Sequence, residues 1–265
     1  MSSDAMVQLT CDDRGIAHLT LNRPHLHNAF DDALIAQLLQ ALKQVEREPG
    51  VRAVVLAAAG KSFSAGADLN WMRRMAGYSR EQNHQDALQL AALMEKLNHL
   101  NKPTIARVQG AAFGGGVGLV ACCDIAVGAQ RAQFALTEVR LGLIPAVISP
   151  YVIAAIGERA ARRYMLTGER FDANEALRIG LLHQVVPEDQ LDSTLESLLV
   201  QLLNGGPQAL AAAKSLIFAV SRRPTSAALV AATAERITSI RASDEGREGV
   251  GAFLEKRSPN WIEPR

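Results

Sequence analysis

The spacing of apolar and polar positions divides the chain into a first half that alternates strands with helices and a last third that is almost entirely helical. Residues 7–10 and 16–21 are short β-prone runs around Asp12-Asp13-Arg14-Gly15, a polar turn ending in glycine, and they predict a hairpin at a sheet edge. The segment DDALIAQLLQALKQVERE follows with acids in its first turn and Leu34, Leu38, Ala41, Leu42 and Val45 on one stripe, so it predicts an amphipathic helix that Pro49-Gly50 stops. RAVVLAA and TIARVQG are continuous apolar strands separated by a helical stretch at roughly 80–100, and DIAVGA adds another strand. Such alternation calls for parallel pairing through crossovers, with both sheet faces covered.

Beyond residue 145 the segments ERAARRYMLTG, DANEALRIG, EDQLDSTLESLLVQLLN, PQALAAAKSLIFAVSRR, TSAALVAATAERITSIRA and DEGREGVGAFLEKR all read as helices, broken by one strand, LLHQVV. Nothing between them is long or polar enough to separate independent domains. The organisation predicted is an α/β core over 1–200 carrying a helical C-terminal region over 201–265, whose Leu and Ala stripes exceed what one small core needs and suit burial between subunits.

Composition narrows the function classes. The chain has 265 residues, 48% of them hydrophobic, enough to bury a large core. With 28 basic and 27 acidic residues the formal charge is +1, which removes any global electrostatic case for nucleic acid or an anionic membrane. Aromatic side chains are too few for base-stacking platforms, and no run approaches the roughly 20 apolar residues of a bilayer span. Cys11, Cys122 and Cys123 form neither a disulfide framework nor a spaced metal set, and the six scattered histidines suggest no metal. MSSDAMVQLT carries no signal or transit pattern, so the expected location is cytoplasmic.

Two stretches leave the backbone unusually bare where strands should end: Ser62-Phe63-Ser64-Ala65-Gly66-Ala67-Asp68, and Gly110 to Gly118 with the sequence GAAFGGGVG. Glycine permits close ligand approach, and a helix start leaves N–H groups without partners inside the helix. One N–H from each stretch, converging, would form an oxyanion hole. Tight packing alone would also explain the glycines. The second stretch does not complete a dinucleotide-binding G-x-G-x-x-G, and Ser62 stands where a G-x-S-x-G elbow around Ser64 would need glycine.

LTLNRPHLHNAF, KSFSAGADL, VQGAAFGGGVGL, FALTEVRLGLIP and FLEKRSPNW occur in order and together resemble the crotonase superfamily, the enoyl-CoA hydratases and isomerases, over nearly the whole chain. That resemblance implies a ClpP-like ββα spiral, a coenzyme A thioester as substrate, no separate cofactor, and homotrimers that pair into hexamers. It implies that Ala67 and Gly115 supply the two oxyanion N–H groups. It places Arg23, His25, His27, Ala65, Asp68 and Leu69 around coenzyme A, with Phe253 and Lys256 reaching a neighbouring subunit's nucleotide. Trp71, Pro145 and Val147 would line the acyl pocket.

Glu138 is singled out as the proton-transfer group, since a carboxyl in so apolar a segment has its pKa lifted toward neutrality; the structural alternative is an ion pair with Arg140, two residues on along a strand. At one position the chain departs from the two-carboxylate hydratases, which it resembles otherwise: Gly118 stands where they have a second glutamate. A single carboxylate suits a Δ3,Δ2-enoyl-CoA isomerase. SAGADLNWM, TEVRLGLIPAVISPYV and IGERAARRYMLTGERFDA instead look most like bacterial methylglutaconyl-CoA hydratases, which act on branched, carboxylated chains. A rival of another class is a non-catalytic acyl-CoA-binding or RNA-binding member.

Overall fold

The computed structural model describes residues 5–262; Met1 to Asp4, part of the stretch read above for targeting signals, lie outside them. In chain order the strands are β1 (Val7–Cys11), β2 (Ile16–Leu21), β3 (Ala53–Ala58), β4 (Thr104–Val108), β5 (Ala112–Phe113), β6 (Ile125–Ala129), β7 (Gln133–Ala135), β8 (Arg170–Asp172) and β9 (Gln184–Val186). The helices are α1 (Asp32–Arg47), α2 (Leu69–Met75), α3 (Arg80–Asn98), α4 (Gly115–Cys122), α5 (Ser149–Thr167), α6 (Ala173–Arg178), α7 (Leu191–Asn204), α8 (Pro207–Val220), α9 (Ala227–Ala242) and α10 (Asp244–Leu254).

A six-stranded sheet runs β1-β2-β3-β4-β6-β9 and is parallel throughout except for the β1–β2 hairpin. The hairpin is therefore only half an edge: β1 is outermost, and β2 lies inside against β3. Because side chains alternate along a strand, Val54 and Leu56 of β3 enter one core with Leu34, Leu38 and Leu42 of α1, while Ala53 and Val55 enter a second core with Leu191, Leu195 and Leu199 of α7. Both faces are covered, which is why these strands read as unbroken apolar runs.

Local chemistry fixes the helix starts. Asp31 caps α1 by accepting from Leu34 N at 2.8 Å, and Ser79 with Gln82 forms a capping box on α3. The predicted stripe of α1 is buried along its whole length.

Three strands escaped the sequence reading. β5, β7 and β8 form a small second sheet in which β5 runs parallel to β7 and β7 antiparallel to β8. The predicted strand LLHQVV is shorter, confined to Gln184–Val186. Residue 200 falls within α7, whose buried leucines belong to the sheet.

α8 is joined to the core by a polar link. Lys214, buried on α8, reaches Asp124 Oδ2 at 2.8 Å, and the same oxygen accepts from Thr104 N at 2.8 Å and Thr104 Oγ1 at 2.9 Å. Removing one partner of such a pair strands the other in low dielectric. Lys214→Ala is expected to cost about 2 kcal/mol, a lowered urea midpoint at unchanged slope, whereas an unchanged midpoint would show that the link does not hold the helix.

Candidate active site

The loop after β3 is suspended from two buried amides. Gln109, just past β4, donates from Nε2 to the carbonyls of Ala58 at 2.8 Å, Gly60 at 3.1 Å and Ser62 at 3.1 Å. Asn28, in a left-handed conformation, donates from Nδ2 to Ala59 O and Ser62 O, both at 2.9 Å. Ser64 is fully buried, and its hydroxyl donates to Asn28 O and accepts from Gly66 N. None of these three was assigned a role from the sequence, although all lie inside the motifs that carry the family resemblance. Being buried and polar beside a strand end was the signal available.

Two short parallel bridges then orient the loop, Phe30 with Ala67 and Ser64 with Ala112. In the first, Phe30 N donates to Gly66 O and Asp68 N to Phe30 O, each at 2.7 Å. The N–H of Ala67, between them, faces the opposite way. Phe63 N and Ser64 N donate to Ala111 O, and Ala65 N to His27 O. From Phe63 to Asp68, Ala67 is thus the one residue whose N–H has no acceptor among the described residues.

The second stretch behaves alike. Phe113 N donates to Ser64 O, Gly114 N to Ala135 O, and Val117 N and Gly118 N to Gly114 O. Gly115 and Gly116 open α4, and their N–H groups find no acceptor among the described residues. The two stretches touch. A Cβ on Gly66, which has φ +87°, would stand 3.1 Å from Phe113 O, and one on Gly115 would stand 3.2 Å from the Phe30 ring. Phe30 therefore braces both donors, its backbone holding the Ala67 loop and its ring lying against Gly115.

Glu138 completes the group. It begins a short 3-10 turn, Glu138–Leu141, rather than lying on a strand, so the geometry behind an Arg140 pair does not arise, and no carboxylate pairs with Arg140 among the described residues. Its Oε1 would be 3.0 Å from a Cβ on Gly114, which puts the carboxyl group against the backbone next to the Gly115 N–H. Its Oε2 is buried without a hydrogen-bond partner. Burial raises the Glu138 pKa above the ordinary glutamate value, the sense needed for a group that both accepts and gives a proton.

The remaining predicted residues divide. Ala65 and Asp68 belong to the loop; His27, between β2 and α1, borders it, its carbonyl accepting from Ala65 N and its Nδ1 lying 3.1 Å from Ser62 Oγ, and His25 is exposed two residues before it. Arg23 is 9% exposed, and its guanidinium is engaged by Asp31 at 2.9 Å, Asp68 at 3.4 Å and Ala29 O at 3.0 Å. Asp68 also caps α2 through Asn70 N and Trp71 N. Leu69 is exposed, whereas Trp71 is 4% exposed with its indole N–H on Asp86 Oδ1. Pro145 is buried and Val147 half-buried on the segment between Glu138 and α5. Phe253, 81% exposed, and Lys256 stand at the end of α10, and no hydrogen bond of the site's loops reaches them. The described residues hold no cluster of three or more His, Cys, Asp or Glu side chains able to bind a metal. None of the predicted site residues lines the cavity of about 760 Å³ between α5 and α6.

The N–H groups of Ala67, Gly115 and Gly116 and the buried Glu138 Oε2 all lack a partner among the described residues, an arrangement chemically able to hold an oxyanion while a proton moves. Comparison with known proteins shows the family. The model of the enoyl-CoA hydratase/isomerase family matches residues 12–264, and the chain belongs to that family. It is similar to the crystal structure of an enoyl-CoA hydratase from Shewanella pealeana, with 48% identity, a TM-score of 0.95, and 98% of this chain and 97% of that chain covered. The fold is accordingly the crotonase fold. The 2,3-dehydroadipyl-CoA hydratase of Escherichia coli is 33% identical over 92% of this chain and 93% of its own length. The 1,2-epoxyphenylacetyl-CoA isomerase of the same organism is 34% identical over 94% and 95%.

Gly66→Ala places a methyl group against Phe113 O at a backbone angle that side chains avoid, and so displaces the neighbouring Ala67 N–H. Since loss of one oxyanion donor costs about 3 kcal/mol of barrier, kcat should fall roughly 100-fold in steady-state assay with the far-ultraviolet circular dichroism unchanged. A folded variant within twofold of wild type would contradict the assignment of Ala67.

Proposed function

We propose that the protein is an enoyl-CoA hydratase that adds water across the double bond of a 2-enoyl-CoA, with a branched or carboxylated acyl chain such as that of 3-methylglutaconyl-CoA. The observation that carries this reading is the grouping of the Ala67 and Gly115 N–H groups with the Glu138 carboxyl. The thioester oxygen sits between the two donors. Glu138 takes a proton from water as the water oxygen bonds C3 and the π electrons move to the thioester oxygen. Glu138 then gives that proton to C2, the enolate collapses to the thioester, and atoms and charge balance with one carboxylate. The donors bind the enolate more tightly than the neutral carbonyl, which is what lowers the barrier.

Similarity to a hydratase named for dehydroadipyl-CoA, itself a carboxylated acyl chain, supports the substrate class. Coenzyme A is part of the substrate, and no separate cofactor enters the scheme. His25, Leu69, Phe253 and Lys256, all exposed, are the proposed contacts to coenzyme A, with Ala65 beside them. α9 has no buried residue, and Ile217, Val230, Val250 and Phe253 are exposed on α8 to α10, which supports assembly into trimers or pairs of trimers. No helix among the described residues is long and apolar enough to cross a membrane, consistent with the cytoplasmic location proposed.

One observation favours a second reading, Δ3,Δ2-enoyl-CoA isomerisation. Gly118 offers no carboxylate to hold water, and Glu138 alone would move a proton from C2 to C4. The E. coli isomerase shows that similarity alone does not choose between the reactions.

Absorbance of the conjugated thioester separates them, falling when 3-methylglutaconyl-CoA is hydrated and rising when a 3-enoyl-CoA is isomerised. Glu138→Gln should lower either rate about 10³-fold, and retained hydration would refute the role of Glu138. The pH dependence has a definite sign. Because burial raises the Glu138 pKa above 4.5, the stability this group contributes is present below that value and lost as pH rises through the folded-state pKa. Glu138→Gln should therefore melt above wild type at neutral pH, with the difference closing below about pH 4; a lower melting temperature at both would contradict the desolvated carboxylate.

A further inference from the structure

The wall beside Glu138 is built by one face of α4. Gly114, the N-cap of α4 at φ +49°, and Gly118 are one turn apart, linked by the bond from Gly118 N to Gly114 O. Gly114 faces the Glu138 carboxyl. Gly118 faces Ile148: a Cβ there would lie 2.9 Å from Ile148 Cβ, closer still to its Cγ2, and 3.3 Å from Met94 Cε. Even alanine has no room. Ile148 is 3% exposed, Met94 is fully buried, and Cys122 Sγ lies 3.8 Å from Met94 Sδ, so the side chains that Gly118 faces are apolar.

We propose that Ile148 is a specificity-determining residue of this site: by filling the space over Gly118, its branched side chain sets the width of the acyl pocket one helical turn from Glu138 and leaves that wall without a polar group. The inference rests on the reading of Glu138 as the group that acts on an acyl-CoA. Two consequences follow from packing. The acyl carbons next to the reacting pair meet a hydrocarbon surface, so compact or apolar substituents are accepted there. The pocket is also limited by one side chain at a helix start, since Ile148 immediately precedes α5, rather than by the sheet. Trimming that side chain widens the pocket with the strands untouched.

The test compares kcat/KM for a long enoyl-CoA, 2-decenoyl-CoA, with that for crotonyl-CoA. Ile148→Ala should shift this ratio at least tenfold toward the longer chain, and Ile148→Val about threefold in the same direction. Gly118→Ala alone should be strongly destabilised, and Gly118→Ala/Ile148→Ala should recover most of that loss, because the residues compete for one volume. Ile148→Val keeps the test decisive should the alanine variant not fold, as it removes a single methyl group. An active wild type whose ratio is unmoved by the folded Ile148 variants overturns the inference alone. A wild type inactive on every enoyl-CoA overturns the functional reading and this inference together.

Discussion

The docking of a seven-residue loop between two neighbours is the constraint from which the site follows. Residues 63–68 bond to His27 and Phe30 on one side and to Ala111 and Phe113 on the other: Phe63 N and Ser64 N donate to Ala111 O, Ala65 N to His27 O and Asp68 N to Phe30 O, while Gly66 N donates to Ser64 Oγ within the loop. Ala67 is exposed, and from Phe63 to Asp68 its N–H alone finds no acceptor among the described residues, so that donor stays open to a ligand from outside. The Phe30 bridge places it, and the Phe30 ring presses on Gly115, where the second donor opens a helix.

Glu138 is set by opposing influences. Placement against the first residues of α4 puts it near the positive end of a helix, which favours the carboxylate, while burial disfavours it, and the net direction is upward. A carboxylate whose pKa is raised is a stronger base than an ordinary one, and Oε2 is the oxygen without a partner among the described residues. Ion pairs elsewhere pull the other way: Glu175 and Glu248, each held by an arginine, have pKa values lowered to about 2 and stay charged.

Much of this was legible in the chain. α1 and α3 are long enough for period to declare them, β2, β3, β4 and β6 for alternation or unbroken apolar runs, and the bare residues 62–68 lie where the backbone at Gly66 packs closely on that of Phe113 and Gly114. β5, β7 and β8, of two or three residues, are too short to carry a period; tertiary pairing alone defines them. Glu138 was expected to be the proton-transfer group, with an Arg140 pair along a strand as the alternative; the segment is instead a 3-10 turn closed by Gly142 at φ +70°, and the carboxyl lies against Gly114. The resemblance placed Arg23 at the nucleotide, but spacing did not show that Asp31 and Asp68, far apart in sequence, both converge on it. Gly118 read as a missing acid; that Ile148 occupies its place depends on how α4 and α5 meet, which local spacing does not encode.

The central claim is that the N–H groups of Ala67 and Gly115 polarise one thioester carbonyl. It is tested most directly by isotope-edited vibrational spectroscopy of a saturated acyl-CoA labelled with carbon-13 at the thioester carbonyl, free and bound to the protein. The account predicts that the carbonyl stretch moves to lower frequency on binding, as two hydrogen bonds draw charge onto the oxygen. A bound ligand whose carbonyl stretch stays at its value in water or moves higher would contradict it.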